Sequence, residues 1–208
     1  MGNLEDLKKD IFADLKAQLS KPKFPKIKIS YESFIELLSA QYQLNEAYLF
    51  KETLLTIDSY NISQMQLLYD WMCGDLKNNK GILFVGGYGT GKTSVTRAFL
   101  SLYNRMTGVL INYFEALKLH ESLKSDYDFK KSITLINDIG KESAEVVDFG
   151  NRTDAVCNFL QIMNEKNCTL FATSNLSIES LKKRYSGTVA DRLKSIFYVC
   201  EVKGNSRR

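Results

Sequence analysis

Residues 86–93 read Gly86-Gly87-Tyr88-Gly89-Thr90-Gly91-Lys92-Thr93, the residue types and spacing of a phosphate-binding loop, Gly-x-x-x-x-Gly-Lys-Thr. Glycines let the backbone turn tightly, so that successive N–H groups point into one anion-binding nest. A helix beginning at Thr93 and continuing through Phe99 would add the positive end of its dipole. Lys92 would reach the β- and γ-phosphates of ATP as a mobile cation, and the Thr93 hydroxyl would take one position in the octahedral shell of Mg²⁺. The competing reading is a glycine-rich turn that binds nothing. The apolar run Ile82-Leu83-Phe84-Val85 before the loop and the helical pattern after it speak against that reading.

Such a loop needs an acid at the end of a neighbouring strand to hold the metal or its waters. Ile133-Thr134-Leu135-Ile136-Asn137-Asp138 supplies the candidate. Asn137 stands where a first acid is expected; it is an oxygen donor without charge, so metal affinity should fall below that of an aspartate. Asp138 is placed to polarise the attacking water or to take the metal duty, unless it is a turn or helix-cap residue. Glu142 is a second acid that could assist, with an exposed loop charge as the simpler expectation. A further buried run, Thr169–Thr173, leads into Ser174-Asn175, at the edge where open α/β sheets bind ligands. Asn175 could orient water or touch the γ-phosphate; a turn-forming asparagine is the alternative.

The elements that must position these residues alternate. Candidate strands are Ile82–Val85, Val109–Phe114, Ile133–Asn137, Thr169–Thr173 and Ile196–Val202, most of them separated by helical segments. That order predicts an α/β fold, a parallel sheet covered by helices. Upstream, Leu4, Leu7, Ile11, Phe12, Leu15 and Leu19 mark one face of a helix over 4–19 with Asn3 as its N-cap. Residues 21–28 hold both prolines and predict an extended, solvated connection. Helices are expected over 31–50 and about 62–73, the second with Ile62, Met65, Leu68, Trp71 and Met72 on one side and Gly74 as its stop. The expected organisation is a helical extension over 1–60 and an ATPase domain over 61–208.

Bulk composition narrows the classes. The 208 residues are 44% hydrophobic and 25% charged, ordinary for a globular protein, and the net charge of +4 permits polyanion contact without establishing it. Cys73, Cys157, Cys168 and Cys200 form no Cys-x-x-Cys pair and His120 is the one histidine, which leaves no ligand set for a structural zinc. No signal-peptide organisation and no apolar run of membrane-spanning length is present, so a cytoplasmic protein without a membrane partner is expected. Met1-Gly2 resembles a myristoylation start, but Asp6 stands where that motif wants Ser or Thr.

With these residues in place, the chain from about Ile62 onward resembles the AAA+ P-loop ATPases of the DnaC/IstB type, bacterial helicase loaders and transposition ATPases. The resemblance rests on Gly86–Thr93 as Walker A, Ile133–Asp138 and Ile139-Gly140-Lys141-Glu142 as Walker B and its extension, and Thr173-Ser174-Asn175-Leu176 as sensor 1. It continues through Leu181-Lys182-Lys183-Arg184-Tyr185-Ser186-Gly187, Val189-Ala190-Asp191-Arg192-Leu193 and Gly204-Asn205-Ser206-Arg207-Arg208. It implies a domain without a C-terminal helical lid, Asn175 as the sensor, and Arg192 as an arginine finger completing the site of a second copy, with Arg184 as the lesser candidate. Arg208 matches the family's terminal arginine. The chain departs from the pattern at Asn137, at Tyr88 in the loop, and over residues 1–60, which match no amino-terminal domain of the family.

The function this resemblance implies is a helicase-loader-like ATPase that self-assembles and contacts single-stranded DNA and a replicative helicase. Lys118, Lys124, Lys130 and Lys131 are candidates for a basic groove. Alternatives are a transposition ATPase that binds duplex DNA and recruits a transposase, and a nucleotide-dependent scaffold that hydrolyses slowly. A small-molecule kinase would need an acceptor pocket and an arginine-bearing lid, for which no segment is evident.

Overall fold

A computed structural model of the chain describes residues 23–46, 55–74, 80–119, 131–142, 146–148, 151–153, 155–185 and 187–204, together with Lys9, Leu76, Phe129 and Ser206. Of the helix expected over 4–19 only Lys9, which is helical, is among these residues; the rest lies outside them.

The continuous apolar runs fold as strands because both of their faces are covered. Along β1 (Gly81–Val85), Ile82 and Phe84 point into one core and Leu83 and Val85 into the other. β3 (Ser132–Asn137) divides in the same way, Ile133 and Leu135 against Ile136, and so does β6 (Thr169–Ser174), Phe171 against Leu170 and Ala172. With β2 (Leu110–Glu115) and β7 (Phe197–Glu201) these strands form a five-stranded sheet in the order β2-β3-β6-β1-β7. Every pairing in it is parallel. The expected α/β architecture is therefore observed, with strand limits shifted by about a residue at most ends.

One face carries α1 (Tyr31–Glu46), α2 (Ile62–Cys73) and α3 (Lys92–Thr107). Phe34 and Leu38 of α1 are fully buried in that core, so this upstream helix shares it with the sheet. Trp71, Phe99, Tyr103 and Phe171 meet largely edge to face at centroid distances of 5.0–6.3 Å. α2 ends at Gly74 as expected, but Ile62 is exposed and does not join Met65, Leu68, Trp71 and Met72 inside. The opposite face is covered by α4 (Ala155–Glu165), α5 (Ile178–Arg184) and α6 (Gly187–Ile196) through Phe159, Leu160, Leu181 and Leu193. The four cysteines form no disulfide with one another and are at least partly buried.

Two features differ from the sequence reading. The described part of the connection, 23–28, is anchored: Phe24 is buried, the Ile27 amide donates to the Met72 carbonyl, and Lys23 and Lys26 donate to the carbonyls of Asn167 and Trp71. An amine that covers an aromatic face and meets a carbonyl gains more there than on a loose tether, as Lys26 does over Trp71 at 5.2 Å. An antiparallel hairpin of β4 (Val146–Asp148) and β5 (Asn151–Thr153) was not anticipated, its strands being three residues each and too short for alternation to register. Among the described residues no helix is long and apolar enough to cross a membrane.

Phe99 touches Phe34, Trp71, Tyr103 and Phe171, and so ties α1, α2 and β6 to the helix that carries the phosphate-binding loop. Phe99→Ala should therefore lower unfolding free energy by about 3–5 kcal/mol in urea titrations; a loss below about 1 kcal/mol would mean that this cluster does not hold the layer together.

Candidate nucleotide site

Because the sheet is parallel, the ends of β1, β3 and β6 open on one edge. β6 lies between β1 and β3, with Phe84 opposite Thr173 and Ile136 opposite Ala172. The glycine-rich loop and Asn137-Asp138 are thus two strands apart, and the end of β6 spans the gap.

The loop takes its shape from backbone geometry that side chains resist. Gly86 has φ 148°, and a Cβ there would lie 2.1 Å from the carbonyl oxygen of Val202, where the chain leaves β7. Gly89 has φ 75°, with the Ser206 side chain packed against it. Lys92, only 4% exposed, folds back over the loop. Its ammonium donates to the carbonyls of Gly86 at 2.9 Å and Gly87 at 2.6 Å, to Thr90 Oγ1 at 3.2 Å and to Asn175 Oδ1 at 3.2 Å. All four acceptors are neutral, and a phosphate oxygen is a stronger acceptor than any of them. Tyr88 is 68% exposed and faces solvent, with the Lys141 ammonium 5.6 Å from its ring centre.

Beneath the loop, Thr93 donates its hydroxyl proton to Asn137 Oδ1 at 2.7 Å. Thr173 donates to the same oxygen at 2.6 Å and accepts from the Asp138 amide at 3.1 Å. The Asn137 amide nitrogen faces Glu115, 3.0 and 3.2 Å from its two carboxylate oxygens, and Arg97 pairs with that carboxylate at 3.0 Å. Thr93 Oγ1, Asn137 Oδ1 and the Asp138 carboxylate are hard oxygen donors. Such a set fits Mg²⁺, which keeps several waters and takes further oxygens from phosphates. Thr93 would be the direct protein ligand, with Asn137 behind it.

Asp138 has φ 60°, a left-handed conformation that aspartate tolerates better than most residues. It turns the carboxylate toward Asn175, whose amide nitrogen donates to Oδ1 at 2.9 Å, and toward Lys141, which pairs with Oδ2. The hydrogen bond to Asp138, outweighing partial desolvation, raises the Lys141 pKa. Asn175 therefore touches both Lys92 and Asp138, and the residues singled out as Walker A, Walker B and sensor meet at one point.

The expectation for Glu142 is corrected. It is not an exposed loop charge but 5% exposed, accepting from the Gly140 amide at 2.8 Å, from the Tyr185 hydroxyl and from Arg184 Nε at 3.4 Å. Burial lowers the pKa of the Arg184 guanidinium, but Glu142 and Tyr185 outweigh it and the net shift is upward. Arg184 is thus committed to Glu142 within its own chain. Arg192, on α6, is part-exposed and donates to Gln161 Oε1 at 3.1 Å. Arg208, Lys124 and Lys130 lie outside the described residues; Lys118 and Lys131 are exposed. Sequence reasoning missed Glu115, Lys141 as a partner of Asp138, and Thr173 as the bridge. The one signal for Glu115 was its place as an acid ending an apolar strand, as Asp138 does after β3.

No protein-family model and no curated protein matches the chain by sequence. Solved structures do match in fold. DnaI superposes with a TM-score of 0.56 at 21% identity over 73% of this chain and 86% of that one. The DnaC helicase loader gives 0.56 at 17% identity, over 72% of this chain and 93% of that one. The replication initiator DnaA bound to AMPPCP and single-stranded DNA gives 0.54 at 16% identity, over 73% of this chain and 49% of that one. The chain has the α/β P-loop fold that these structures share.

Proposed function

We propose that this chain is an AAA+ ATPase of DNA replication, acting as a helicase-loader-like switch that self-assembles through shared nucleotide sites and contacts single-stranded DNA. One observation carries the reading: Lys92 and Asn175 meet at 3.2 Å above a glycine loop whose Thr93 is bonded to Asn137 at 2.7 Å. A cation, an amide sensor, a hydroxyl ligand and an acid-bearing strand end thereby converge where a γ-phosphate would sit. The fold shared with a helicase loader and with an initiator bound to AMPPCP and single-stranded DNA supports the biological setting.

In this reading Lys92 exchanges neutral carbonyls for the β- and γ-phosphates, and the loop amides and the α3 dipole hold the rest of the charge. Mg²⁺ supplies charge neutralisation between the phosphates. Asp138 orients the attacking water once Lys141 and Asn175 turn to the more strongly charged γ-phosphate. Arg192 reaches the site of the next subunit, whereas Arg184 stays bound to Glu142 in its own.

Measuring ATP binding and turnover, with and without single-stranded DNA, tests this. Lys92→Ala should abolish tight ATP binding; intact binding would sink the nucleotide reading. Arg192→Ala should bind ATP normally yet lose assembly-dependent turnover by about 10³-fold, and unchanged turnover in the assembled variant would remove its finger role. Arg184→Ala should act on the isolated subunit, lowering stability by about 1–3 kcal/mol because Glu142 stays buried without its cation. A preference for duplex over single-stranded DNA at controlled salt would favour a transposition ATPase over a loader.

A further inference from the structure

The Glu115 carboxylate is paired with Arg97, and both of its oxygens face the amide nitrogen of Asn137. We propose that Glu115 is a positioning residue that sets the amide orientation of Asn137, and through it the direction in which Thr93 presents its lone pairs to a metal-nucleotide complex. The inference rests on the nucleotide reading above.

Donor and acceptor chemistry fixes the orientation of the amide. Nitrogen and oxygen of an amide are told apart by their partners, and an ionised carboxylate has only acceptors. The atom of Asn137 that faces Glu115 must therefore be its NH₂. Its oxygen is then turned to Thr93 and Thr173, both of which donate to it, at 2.7 and 2.6 Å. Thr93 has one proton; spending it on Asn137 leaves both lone pairs of Oγ1 for a cation. With the amide reversed, its NH₂ would donate into a Thr93 lone pair and place positive hydrogens beside the cation. Parallel pairing puts Glu115 directly opposite Asn137 in the register of β2 and β3, and Arg97 holds the carboxylate from the outer side at 3.0 Å.

The same contact accounts for the amide at position 137. An aspartate there would bring a second carboxylate to about 3 Å from Glu115, a spacing at which two carboxylates do not both ionise freely. Asn137 is the residue type that accepts from Thr93 on one side and donates to Glu115 on the other.

The test reads Mg²⁺ rather than turnover. Binding of a fluorescent ATP analogue is titrated with Mg²⁺ for the parent, Glu115→Leu and Glu115→Gln. Glu115→Leu should raise the half-saturating Mg²⁺ concentration by about 10-fold or more, with metal-free nucleotide affinity changed less than about twofold. Glu115→Gln keeps an acceptor toward Asn137 and should stay within about threefold of the parent. Equal Mg²⁺ dependence in Glu115→Leu and parent, or equal loss in the Gln and Leu variants, overturns the proposal. A parent that binds no nucleotide overturns the nucleotide reading instead. Thermal unfolding without nucleotide gives an independent arm. Asn137→Asp should lower the melting temperature by on the order of 5 °C, and Glu115→Gln in the same chain should restore most of it. An Asn137→Asp variant as stable as the parent overturns the proposed carboxylate conflict.

Discussion

Covering a parallel sheet on both faces leaves polar chemistry nowhere to go but the strand ends, and this constraint organises the molecule. β1, β3 and β6 bury every side chain from Ile82 to Val85, from Ser132 to Asn137 and from Thr169 to Ser174. Apart from buried hydroxyls such as Thr134 in mid-β3, each presents its polar groups where it leaves the core. Parallel pairing then delivers those turning points to one edge, in register, without any long-range recognition between the polar groups themselves. Thr173 shows the consequence. As an inward residue of the central strand it is fully buried, and it is tolerated there because it donates to Asn137 and accepts from Asp138.

How much of this could be read from the sequence depended on whether the information was local. The loop Gly86–Thr93 was legible because its chemistry is contiguous, and the strands because residues buried on both faces form unbroken apolar runs. Asn137, Asp138 and Asn175 were legible as polar residues ending such runs. Glu115 was not, since its meaning lies in the strand opposite, 22 residues away, and depends on which strands pair and in what register. Glu142 was misread for a related reason. Beside Gly140 and Lys141 it looks like a loop charge, and only the landing of α5, which brings Arg184 and Tyr185 from 42 and 43 residues away, takes it out of water.

That burial also separates two arginines that looked alike. A guanidinium bonded to a buried carboxylate can leave only by exposing an unpaired charge to a low-dielectric surrounding, which is costly. Arg184 is in that position. Arg192 is bonded to an uncharged amide, Gln161, and parts from it at little more than the exchange of one hydrogen bond with water. Of the two, Arg192 is therefore the guanidinium that leaves its partner at the lower cost, on energetic grounds independent of any motif.

Asn137 is the point at which a simple motif comparison and the geometry part company. Compared position by position, it is a missing acid and suggests a weakened metal site. In its surroundings it is the centre of a network in which Arg97, Glu115, Asn137 and Thr93 follow one another from solvent to loop, each donor matched to an acceptor. A chain of matched bonds orients its members more firmly than a lone carboxylate would, because reversing the Asn137 amide breaks bonds on both sides. The negative charge has not vanished from the region; it stands one side chain further out, on Glu115, partly balanced by Arg97. A site so built gives up direct charge on the metal and gains a fixed geometry at Thr93. Under the nucleotide reading proposed above, that exchange suits holding nucleotide in a defined state more than rapid turnover.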